Sequence, residues 1–147
     1  LSTPQQVMMV LFSFQELLDA ESHLYRKEAQ DLVRRRYETL YAALGETPPE
    51  LPCYAHYYTT IDIRELAQKR YGDAFARWLD AEHEPIDFVW RLADEKEIVL
   101  MDGGGFDAPE MSVRVSLANL FTDDYEKIGK GISALLEAYK QEWEAGT

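Results

Sequence analysis

Residues 112–119 read Ser112-Val113-Arg114-Val115-Ser116-Leu117-Ala118-Asn119. Strand side chains point alternately to opposite faces, so Val113, Val115 and Leu117 share one face and belong against a core. Arg114, Ser116 and Ala118 then share the other. A guanidinium beside two small residues has room in front of it for a planar anion, and its fork makes two parallel hydrogen bonds to a carboxylate. The same pattern also suits an arginine on a solvated sheet face, and the spacing leaves both readings open.

Upstream, Ile98 to Met101 reads as a short buried strand. Asp102 to Glu110 reads as a loop carrying Gly103-Gly104-Gly105. Those glycines lack the spacing of a phosphate-binding loop and precede a strand rather than a helix. They are expected to supply positive φ between two strands. Tyr54 to Ile63, rich in Tyr, Thr and Ile, is a third strand. Between the strands, Arg64 to Tyr71, Ala74 to Ala81 and Ile86 to Glu95 are short helices, punctuated by Gly72-Asp73 and Glu84-Pro85. A last helix, Asp123 to Glu144, carries Tyr125, Ile128, Ile132, Leu135, Leu136, Tyr139 and Trp143 on one face. The order implies an α/β fold of the α+β type. It is a two-layer small domain with a three-stranded, mostly antiparallel sheet covered by helices.

Two long helices precede this unit. Ser2-Thr3-Pro4-Gln5 is a helix start with a hydroxyl cap and an early proline, opening a helix from Pro4 to Ala20. Its apolar residues Val7, Met8, Val10, Leu11, Phe12, Phe14, Leu17 and Leu18 cover more than half the circumference. Such a helix is expected to be buried on more than one side, which asks for a partner surface beyond this small chain. The second helix, Glu21 to Leu44, carries a stripe from Leu24 and Tyr25 through Tyr37, Leu40, Tyr41 and Leu44, and Gly45 stops it. The chain opens at Leu1 directly on a helix start, as a piece cut from something longer would. An excised piece exposing its first helix is expected to self-associate or swap that helix.

The 27 acidic and 15 basic residues leave a net charge of -12, which argues against nucleic acid and against anionic membrane surfaces as partners. No apolar run approaches the roughly 20 residues that span a bilayer. One cysteine, Cys53, cannot form an internal disulfide, which fits a reducing, cytoplasmic setting. Cys53 and His56 form a lone pair without the further ligands a metal site needs, and His23 and His83 lie on other elements. Arg34-Arg35-Arg36 reads as a solvated helix face, with binding of a partner subunit's carboxylate by one member as the alternative. Tyr54, Tyr57 and Tyr58 suit either a strand or a pocket wall. No nucleophile motif is present.

The segments "LSTPQQVMMVLFSFQELLD", "RRRYETLYAALG", "YYTTIDIRELAQKRYGDAFARWL", "DFVWRLADEKEIVLMDGGGF" and "VRVSLANLFTDDYEKIG", in that order, resemble the C-terminal part of the aspartate 4-decarboxylases. These belong to the fold-type-I, aspartate-aminotransferase-like enzymes dependent on pyridoxal 5'-phosphate (PLP). The resemblance implies residues 1–20 as a connecting helix from a missing large domain, and 21–147 as the C-terminal small domain. It implies that Arg114 grips the α-carboxylate of L-aspartate, with Ile98 to Phe106 matching the family's approach to that arginine. The family holds PLP on a lysine in a Ser-x-x-Lys-like segment of the large domain. Here Lys27, Lys69, Lys96, Lys127, Lys130 and Lys140 fall on helices or a helix–strand junction, so no cofactor or catalytic residue is expected on this chain.

For the whole enzyme, the resemblance implies loss of the β-carboxylate as CO2 with L-alanine as product, the cofactor serving as electron sink. Transamination is the competing reaction, and the parent is expected to be a homo-oligomer. The same domain of a plain aminotransferase is the near alternative. A freestanding acidic interaction module is the distant one.

Overall fold

A computed structural model describes residues 2–50 and 52–146. The chain runs α1 (Thr3–Leu18), α2 (Leu24–Leu44), β1 (Tyr58–Asp62), α3 (Ile63–Tyr71), α4 (Asp73–Glu82), α5 (Pro85–Lys96), β2 (Met101–Asp102), a 3-10 turn (Gly104–Phe106), β3 (Ser112–Ser116) and α6 (Thr122–Gly146). The three strands form an antiparallel sheet with β3 in the middle, in the order β1-β3-β2.

Alternation in β3 is as the sequence requires: Val113, Val115 and Leu117 are buried, whereas Arg114, Ser116 and Ala118 are partly open. In β1, Thr59 and Ile61 join the buried face. Against this face pack the C-terminal half of α2 (Tyr37, Leu40, Tyr41, Leu44) and the apolar face of α6 (Tyr125, Ile128, Ile132, Leu135, Leu136, Tyr139). Phe75 and Leu79 of α4 and Phe88 and Leu92 of α5 close the core. Helices α2 and α6 approach so closely at Gly129 that a Cβ there would lie 2.6 Å from the Leu40 carbonyl oxygen and 2.9 Å from the Leu44 nitrogen. Only glycine lets two helix backbones meet at that distance.

The helix signals act as expected at several ends. Ser2 and Gln5 cap α1 reciprocally, the Ser2 N–H donating to Gln5 Oε1 at 2.8 Å. Gly45, at φ +78°, ends α2. The Asp62 carboxylate accepts from the Glu65 N–H at 2.8 Å and starts α3 directly after β1.

Four expectations change. Helix α2 begins at Leu24 because Asp19 accepts from the Leu24 N–H and the Ser22 hydroxyl in a separating turn, with His23 at φ +50°. Strand β1 is shorter than Tyr54 to Ile63 because His56 lies at φ +53°, a backbone state that cannot join a ladder, and because Ile63 opens α3. The strand at Ile98 to Met101 shrinks to Met101–Asp102, and Val99 is 83% exposed rather than buried. Finally, no residue of α1 is buried and only the second half of the α2 stripe is covered. The surface that α1 needs is not among the described residues.

An ion cluster fastens the end of α2. Glu46 accepts from Lys69 and, at 3.3 Å, from Arg70 Nε, while Arg70 also donates to the Leu44 carbonyl oxygen. Burial pushes the Glu46 carboxyl upward, but the two cationic donors outweigh it and hold the group below its ordinary value of 4.5. A depressed folded-state value gives stabilisation that is complete above the unfolded value and lost as pH falls through the folded one. Thermal unfolding of Glu46→Gln is therefore expected to fall off less steeply than wild type as pH drops below about 5. Superimposable acid limbs would show that the cluster contributes nothing.

Candidate functional site

The open face of the sheet is built around Arg114. In the register of the sheet, Arg114 stands opposite Thr60 of β1 and Met101 of β2, and Tyr58 stands opposite Ser116. Tyr58, Thr60, Arg114, Ser116 and Met101 therefore share one face, opposite the core. Beyond the Met101–Arg114 pair the ladder between β2 and β3 stops, and residues 97–100 diverge from β3. A cavity of roughly 610 Å³ opens there, lined by Tyr58, Leu100, Arg114, Ser116, Asn119 and Lys127 among others. The Ser116 hydroxyl is buried on this side and has no hydrogen-bond partner among the described residues.

The Arg114 guanidinium lies over two aromatic ring faces, with its carbon 3.8 Å from the centre of the Tyr58 ring and 4.1 Å from that of Phe106. Among the described residues, no oxygen accepts a hydrogen bond from it and no carboxylate pairs with it. A guanidinium fixed by ring faces, with its N–H edge unclaimed beside a cavity, is arranged to receive an anion in the plane of the fork.

The end of β3 is pinned, which holds this register in place. The buried Tyr125 hydroxyl donates to the Ser116 carbonyl oxygen at 3.0 Å. Arg36 Nη1 donates to the Leu117 carbonyl oxygen at 3.0 Å, and the Leu117 N–H donates to the Tyr57 carbonyl oxygen at 2.9 Å. Arg36 thus departs from the solvated reading of Arg34-Arg35-Arg36: it reaches inward to cap the strand, while Arg34 pairs with Asp31 at the surface.

The glycine loop also departs from its expectation. Gly103 lies at φ -76°, and the left-handed position falls on Asp107 at φ +57°. Gly103 is required for space instead, because a Cβ there would overlap the Ser112 hydroxyl. With its N–H donating to the Ser112 carbonyl oxygen and its own carbonyl accepting from the Phe106 N–H, both at 2.9 Å, Gly103 turns the chain and carries Phe106 over Arg114.

The other candidates are dispersed. Cys53 is exposed. His56 packs against Tyr37 and Tyr54, His83 lies between Trp78 and Tyr139, and His23 lies 2.8 Å from Glu16. Among the described residues, no His, Cys, Asp or Glu group could hold a metal, and no helix is long and apolar enough to cross a membrane. All six lysines lie on helices. Lys69, Lys96, Lys127, Lys130 and Lys140 pair with carboxylates, and Lys27 donates to the Ser22 carbonyl oxygen.

Compared with curated proteins, the chain is 42% identical over 145 residues to the bifunctional aspartate aminotransferase and L-aspartate beta-decarboxylase of a Pseudomonas species. This chain is homologous to part of that enzyme. The match takes in 99% of the chain and 27% of the relative, so the chain spans about a quarter of the bifunctional protein's length. No family model matches the chain.

Proposed function

We propose that this chain is the substrate-gripping, C-terminal part of a PLP-dependent enzyme that converts L-aspartate to L-alanine and CO2 and also transaminates aspartate. Residues 1–20 form the connection to a large domain, residues 21–147 form the small domain, and the whole enzyme is a homo-oligomer. The observation that carries this reading is Arg114, whose N–H edge is unclaimed at the mouth of the cavity. The name of the bifunctional relative supports both activities.

Arg114 binds the α-carboxylate through two parallel hydrogen bonds, and so fixes the orientation of the α-carbon relative to the rest of the active site. The Ser116 hydroxyl, buried on the same face, supplies a further polar group. Every lysine ammonium already has a carboxylate or carbonyl partner, which supports assigning PLP to the large domain. Cofactor and proton-transfer groups belong to the large domain. The exposed apolar side chains lining the cavity, Val99, Met101 and Leu120, suit contact with that domain.

Product analysis of the full-length protein supplied with aspartate, PLP and a 2-oxo acid to take up the amino group tests the proposal. Alanine and CO2 in equal amounts, with slower formation of oxaloacetate, are expected. Oxaloacetate alone would make it a plain aminotransferase, and turnover of neither kind would overturn the reading.

A further inference from the structure

Arg114 reaches its place on a long, flexible side chain, and such a side chain normally holds its position by hydrogen bonds to carboxylates or carbonyls. Here it does so through two π faces, which take none of its N–H donors. A salt bridge would hold the guanidinium equally well but would occupy the edge that a ligand needs. The two rings come from separate elements. Tyr58 stands on β1, diagonal to Arg114, and its carbonyl accepts from the Tyr54 hydroxyl. Phe106 closes the 3-10 turn between β2 and β3. Tyr58 is 39% exposed and Phe106 45% exposed, so neither serves the core.

We propose that Tyr58 and Phe106 are positioning residues that hold the Arg114 guanidinium ready for a ligand carboxylate. This rests on the reading of Arg114 as the carboxylate grip. Each ring limits rocking of the guanidinium out of plane, so less motion is lost when the carboxylate binds. The contribution is to affinity, and it depends on a ring face rather than on the phenolic hydroxyl.

In the full-length enzyme, Phe106→Leu and Tyr58→Leu are each expected to raise KM for aspartate by about tenfold. The accompanying loss in kcat should stay within about threefold. The dissociation constant of a non-reacting dicarboxylate such as maleate should rise in parallel with KM. Tyr58→Phe and Phe106→Tyr keep a ring and should bind like wild type. If a leucine variant does not fold, methionine at the same position keeps apolar volume without a ring face and takes its place. Unchanged maleate and aspartate affinity in the ring-less variants, where Arg114→Ala has lost both, would overturn the clamp and leave the carboxylate grip standing. Unchanged affinity in Arg114→Ala would instead remove the reading beneath it.

Discussion

Replacing Arg114 with alanine in the full-length protein is expected to lower kcat/KM for aspartate by roughly 30- to 5000-fold, the equivalent of about 2–5 kcal/mol. That range is the usual loss when one partner of a desolvated, hydrogen-bonded charge pair is removed. The upper end applies if a large domain closes over the cavity, because exclusion of water strengthens the pair. Both kinetic constants should suffer, since the grip sets affinity and also orients the reacting carbon. Arg114→Lys retains the charge but not the fork, and should recover only a minor part of the loss. Folding should be unaffected, because Arg114 is outside the core and, among the described residues, no oxygen accepts a hydrogen bond from it. An unchanged kcat/KM for aspartate in the alanine variant would reject the assigned role.

The second large effect concerns α1. Val7, Met8, Met9, Val10, Leu11, Phe12, Phe14, Leu17 and Leu18 are all exposed, and among the described residues α1 is tied down by the stacking of Phe12 on Tyr25 and by the pairing of Glu16 with His23 and Arg26. A helix apolar on every side is stable in water only when other surfaces surround it. The chain on its own is therefore expected to sediment as an oligomer at high concentration. Removing residues 1–20 should yield a monomer with its helical and sheet signals intact, because α1 contributes no buried residue to the core. A strictly monomeric profile of the whole chain at high concentration would contradict this expectation.

Most helices were legible in the sequence because their signals are local. A capping serine, a glycine past the last turn and an apolar face at helical spacing act within a few residues of each other. The unpartnered surface of α1 was legible too, since no single-sided contact could satisfy so many apolar positions. Strand lengths were not. His56 and Glu97 adopt left-handed backbone without being glycine, so nothing in composition marks where β1 begins or why residues 98–100 leave the ladder. The role of Arg36 was hidden for a related reason: its partner, the Leu117 carbonyl, lies 81 positions away.

For the site, alternation along Ser112 to Leu117 was enough to place Arg114 on the face opposite the core, because side-chain direction in a strand follows from backbone geometry alone. What stands around that guanidinium came from the fold. Tyr58 reaches it through strand register, and Phe106 through a turn in which Gly103 packs against Ser112. The cavity opens where the β2–β3 ladder ends, after only two residue pairs. These are contacts between distant parts of the chain, set by packing and loop closure, and no short-range pattern encodes them.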